Sequence, residues 1–135
     1  LPLFLFFLPL YQLIMEPTAN KKVIVQKLKK TEADVFEKAQ RYYTVMSAVN
    51  DLHLTERELQ LVAFTAIKGN ISYKNIREEF CEKYNSSAPT INNIISKLKK
   101  IGVLVKDGTK IKVNPFIALN FENDLMLEIK IGSNG

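Results

Sequence analysis

The chain of 135 residues has no tryptophan, one cysteine and one histidine. With Cys81 alone, an intramolecular disulfide is excluded, and the natural reading is a reducing compartment. A zinc site of the usual kind draws on several cysteines and histidines, so one Cys81 and one His53 predict no metal. His53 stands beside Asp51 but near no evident nucleophile. No Gly-rich phosphate loop is present, and Gly108 suits a hairpin tip better than a phosphate cradle. No catalytic residue and no cofactor are therefore expected, and the chain reads as a binder rather than an enzyme.

Long hydrophobic runs are also scarce. The charge-free apolar stretch at residues 1–14 is shorter than the roughly 20 apolar residues a spanning helix needs. It contains Pro2 and Pro9 and lacks the basic start of a signal peptide. Met15 is followed by the hydrophilic run Glu16 to Lys22, as at many native amino termini. Residues 1–14 are accordingly expected to be upstream sequence read through in frame, with a hydrophobic anchor or partner-binding tail as the rival. A membrane partner is expected only if they are native.

What the chain does have is positive charge, +5 formally and a pI near 9.3. Such a balance favours an anionic partner, nucleic acid before acidic membrane. The charge is concentrated. Between Pro89 and Lys112 six lysines face one aspartate, a local balance of +5 that equals the total of the whole chain.

That region begins with a helix. Ser87 can cap it and Pro89 fits its first turn, where a missing amide is harmless. Ile91, Ile94, Ile95, Leu98 and Ile101 recur at helical spacing as an apolar stripe. Thr90, Asn92, Asn93, Ser96, Lys97, Lys99 and Lys100 form the opposite face, with chemistry suited to base edges and phosphates. Gly102 supplies a left-handed stop. Val103 to Val105 and Ile111 to Val113 then read as two strands around a turn at residues 106–110, with Asp-Gly chemistry at its tip.

Upstream, Thr55 and Glu58 form a capping box, opening a nearly all-round apolar helix to Lys68 that suits the most buried position of a trihelical core. Gly69-Asn70 is a stop. Ile71 to Tyr73 can add a short third strand to the hairpin, and a helix from about Lys74 to Tyr84 buries Ile76 and Phe80 while Arg77 stays solvated. Asn85 to Ser87 has the length of a helix-turn-helix turn. Nearer the amino terminus, residues 22–28 suggest an edge strand within a basic arm. A helix from a capping box at Thr31 and Asp34 runs to about Val49, and its Tyr42, Tyr43 and Met46 read as core, partner contact or base-stacking residues. Past the hairpin, Phe116 to Phe121 should fold back over the domain. Leu125, Leu127, Ile129 and Ile131 alternate as a strand that would pair with the amino-terminal strand or with a second copy of the protein.

Read through Leu54-Thr55-x-Arg57-Glu58, Ser87-x-Pro89-Thr90, Ile95 to Leu104 and Lys112-Val113-Asn114-Pro115, the chain resembles winged helix-turn-helix regulators. It is also similar to small plasmid replication initiators and short proteins of tailed bacteriophages. The resemblance covers residues 54–115. It implies an α+β fold with a trihelical core and a β-hairpin wing at residues 51–115; the arm and helix of residues 15–50 and the strand segment of residues 116–135 flank that domain and lie outside the resemblance.

Two functions follow as expectations. In the first, the chain binds specific double-stranded DNA as a transcriptional regulator or replication initiator of phage or plasmid origin. Thr90, Asn92, Asn93 and Ser96 would then lie at the bases, with Ser87 at the DNA-binding start of the helix, Lys97, Lys99 and Lys100 at phosphates, and Lys106 and Lys110 at the neighbouring backbone or minor groove. A homodimer suits two-fold operators. In the second, the domain is a docking or assembly module of a phage particle or regulatory complex, with a phage or replication protein as a possible partner, and residues 116–131 with the tyrosine-bearing helix are its working surface.

Overall fold

The computed structural model of the protein describes residues 13–15, 22–25 and 34–131. Among them are four helices and two antiparallel strand pairs, so the fold is α+β. The helices are α1 (Val35–Val49), α2 (Glu56–Lys68), α3 (Lys74–Tyr84) and α4 (Ala88–Lys100). Strand β1 (Leu13–Met15) pairs with β2 (Lys22–Ile24), and β3 (Leu104–Asp107) with β4 (Lys110–Val113). β1 crosses the boundary read before Met15, since Leu13 and Ile14 face Ile24 and Val23. Residues 1–12, Thr31 and the remaining basic-arm lysines lie outside the described residues.

Helix α2 forms where its local chemistry demands. Thr55 Oγ1 accepts the Glu58 amide and Glu58 Oε1 accepts the Thr55 amide at 2.9 Å, which satisfies two otherwise orphaned donors. Leu61, Val62, Ala63, Phe64 and Thr65 are buried in succession, as a helix apolar all round requires when it runs through the centre. Phe64 stacks on Phe36 of α1 at 5.6 Å and meets the edge of Phe80 of α3 at 5.3 Å, so one ring ties three helices together. Gly69 closes α2 with φ of +93°.

Helix α1 begins at Asp34, whose side chain accepts the Glu37 amide at 2.8 Å. Its tyrosines are core residues. Tyr43 is fully buried and donates its hydroxyl to the Ile117 carbonyl at 2.8 Å, and Phe121 packs 5.6 Å from both tyrosine rings. Base stacking by Tyr43 is thereby excluded. Residues 116–121 do fold back, as a strap from the hairpin onto α1.

Two expectations fail, and a third finds no partner among the described residues. Ile71 to Tyr73 is not a strand. The Ile71 amide donates to the Ile111 carbonyl at 2.9 Å, but the next bond uses Ser72 Oγ as acceptor, and the Ser72 amide turns back to Asn70 Oδ1 at 3.0 Å. A ladder cannot continue when side chains take the place of backbone groups. Leu125 to Ile131 pairs with no strand among the described residues, so pairing with the described part of the amino-terminal strand is not seen, and the period-two pattern is left without a ladder partner within them. Ile101 leaves the apolar stripe and is exposed, because it is the C-cap of α4 and the chain reverses there. The reversal is a Schellman motif, with the Gly102 amide donating to Lys99 and the Val103 amide to Leu98. Val103, buried against the core, replaces Ile101, and β3 starts one residue later than the sequence suggests.

Candidate functional site

Helix α4 and the β3–β4 hairpin present the lysine-rich region. Ser87 caps α4 through the Thr90 amide and its hydroxyl lies 2.9 Å from that of Thr90, so both side chains are occupied at the helix start. Ile91, Ile94, Ile95 and Leu98 are buried against the core. At 100° per residue the opposite line runs through Pro89, Asn93, Ser96 and Lys100, with Asn92 and Lys99 on one flank and Thr90 and Lys97 on the other. All of these residues are exposed. No other described element covers this face.

The side chains on it divide into held and unheld. Lys97 is held, with Nζ 3.0 and 2.8 Å from the two oxygens of Glu58, a residue buried at the start of α2. Burial alone would raise the Glu58 carboxyl, but hydrogen bonds from Lys97 and Thr55 and the Lys97 charge outweigh it and keep the pKa below the ordinary carboxylate value. Asn92 is also held. Its Oδ1 accepts Arg77 Nη1 at 2.7 Å, while Arg77 Nε donates to the Ile71 carbonyl at 2.9 Å. Arg77, expected in solvent, therefore bridges α3 and α4. Arg57 of α2 donates to the Tyr84 carbonyl at the end of α3. The first two contacts fix α4 against α2 and α3 and the last ties α2 to α3, and the sequence reading assigned none of them. Glu58 carried a partial signal, since a capping box uses one carboxylate oxygen and leaves the other to find a partner.

Asn93, Ser96, Lys99 and Lys100 are exposed, and among the described residues their side chains make no hydrogen bond or ion pair. Lys106 in β3 is the same. Lys112 in β4 pairs with Asp107 at 2.8 Å, and that hydrogen bond, with the lysine charge, lowers the Asp107 pKa. Lys110 lies near enough to Asp107 to add to that lowering.

The hairpin loop is Gly108-Thr109, one residue beyond the Asp-Gly step read from sequence, because Asp107 still pairs with Lys110. Gly108 has φ of +64° at the first central position, where a type II′ turn needs glycine. Asn114 anchors the far end, its amide to Val103 and its Nδ2 to Gly102, both at 2.9 Å. The hairpin is thus joined to the end of α4 at its base and free at its tip.

Two other features lie apart from this surface. An open groove of about 400 Å³ between α3 and the start of α4 is lined by Lys74, Arg77, Cys81, Ile91 and Asn92 among others. His53 pairs with Asp51 at 2.8 Å on an exposed loop in which both residues are left-handed. Among the described residues no helix is long and apolar enough to cross a membrane. No family model, curated protein or solved structure matches the chain.

Proposed function

We propose that the chain binds double-stranded DNA as a winged helix-turn-helix protein, acting as a transcriptional regulator or replication initiator. α3 and α4 form the helix-turn-helix pair, α4 enters the major groove, and the β3–β4 hairpin is the wing. The observation that carries the reading is the uncovered face of α4, where Asn93, Ser96, Lys99 and Lys100 stand exposed with no protein partner. Asparagine can make a bidentate contact to adenine and serine a single one, while the two lysines at the end of the helix reach phosphate. Lys106 and Lys110 would meet the backbone beside the groove.

The contacts described above refine the residue roles. Ser87 and Thr90 build the helix start, where backbone amides can approach a phosphate. Asn92 offers only its amide nitrogen, and Lys97 is a positioning residue. Titration of the protein into a fluorescent duplex at several salt concentrations tests this. The expected log–log slope is about −0.9 for each phosphate contacted, and Lys99→Ala with Lys100→Ala together flatten it by about 1.8. Binding that ignores salt, or a double variant with an unchanged slope, would overturn the assignment. A second reading, a protein-docking module, is favoured by the exposed apolar side chains of residues 116–131, and it predicts association that survives high salt.

A further inference from the structure

Residues 124–131 make no backbone hydrogen bond among the described residues, and the last polar tie before them is from Lys38 Nζ to the Asn123 carbonyl. One side of this segment carries Leu125, Leu127 and Ile129, exposed by 36%, 46% and 46%, and then Ile131. The other side carries Asp124, Met126, Glu128 and Lys130. An alternating segment with an unpaired backbone has the chemistry of a strand without its sheet. The charges say what would complete it.

We propose that residues 124–130 pair antiparallel with the same residues of a second copy of this chain, about a two-fold axis at Leu127. Opposed residues of an antiparallel pair share a face, so an axis falling between two residues would set apolar side chains against polar ones, and it is excluded by the alternation. An axis on Glu128 opposes the two Glu128 carboxylates. An axis on Met126 opposes Asp124 to Glu128. An axis on Ile129 matches Glu128 with Lys130 but extends the ladder into Gly132, Ser133 and Asn134, of which glycine and asparagine are poor strand residues. With the axis on Leu127, Asp124 faces Lys130 twice, Leu125 faces Ile129 twice, and Leu127 faces its symmetry mate. Every apolar side chain from 125 to 129 on that face then has an apolar neighbour, and the one lysine of the segment has an aspartate.

This inference stands apart from DNA binding, and the molar mass of the free protein tests it without DNA. Sedimentation of the protein over a range of concentrations should show a monomer–dimer equilibrium. Leu127→Lys, which sets two ammonium groups together at the axis, should leave only monomer. Asp124→Lys alone, or Lys130→Asp alone, should weaken the dimer by about tenfold or more, because opposed like charges replace two attractive pairs. The two changes together should restore it. These positions are exposed, so circular dichroism of each variant should match the parent. A protein that stays monomeric at every concentration overturns the proposal, as does a dimer indifferent to Leu127→Lys. Rescue by Glu128→Lys with Lys130→Glu, in place of the 124–130 exchange, overturns the register.

Discussion

One oxygen of Glu58 accepts the Thr55 amide and both receive the Lys97 ammonium, so a single carboxylate closes the start of α2 and fixes the orientation of α4. Glu58→Gln keeps an acceptor for the amide and loses the charge. It should lower the unfolding free energy by about 1–2 kcal/mol at neutral pH, since Lys97 is half exposed and water compensates part of the loss. The folded pKa of Glu58 lies below its ordinary value of roughly 4.3. Its stabilisation is therefore complete above that value and disappears as pH falls through the folded one. Urea midpoints of parent and variant should converge in acid, and a gap that persists at low pH would contradict the pairing. Tyr43→Phe strands the Ile117 carbonyl and should cost about 1 kcal/mol by the same measurement. Neither partner was legible in sequence. Glu58 and Lys97 are 39 positions apart, Tyr43 and Ile117 are 74 apart, and no local rule links residues at such distances.

At the scale of elements, local chemistry was sufficient wherever a helix carries its own start and stop. α2 and α4 begin and end where Thr55, Gly69, Ser87 and Gly102 place them, because caps and left-handed closures act within a turn of the residue that provides them. Strands were less legible, since a strand is defined by what lies beside it. Residues 71–73 and 125–131 both have the pattern and neither forms a ladder among the described residues, while the hairpin turn is displaced by one residue because β3 and β4 choose the register together. The turns are open to direct test. A Cβ at Gly108 would meet nothing within 4 Å, so Gly108→Ala probes backbone conformation alone and should cost about 1–2 kcal/mol. Asn85, left-handed at φ of +54° between α3 and α4, should lose about 1 kcal/mol on change to alanine and nothing on change to glycine. Thermal melting of the two Asn85 variants separates conformational cost from lost contacts: equal losses would rule the first out.

Across the whole molecule, α2 is the hub and α4 with its hairpin is the exposed product of that packing. The strap of residues 114–121 begins at the base of the hairpin and seats Phe121 on Tyr42 and Tyr43 of α1. Phe121→Ala should lower stability by about 3 kcal/mol, read from urea unfolding, because it empties a site buried among aromatic rings. The strap also sets an order of events during synthesis. α1 leaves the ribosome before the strap, and the residue that completes its packing is made 72 positions after its last residue, Val49, on the order of ten seconds later at ordinary elongation rates. Until then Tyr42 and Tyr43 are uncovered, and α1 is an apolar surface looking for a cover. The nascent chain is therefore expected to keep the Tyr42–Tyr43 end of α1 open in that interval, and the burial of Phe121 is the step that closes it.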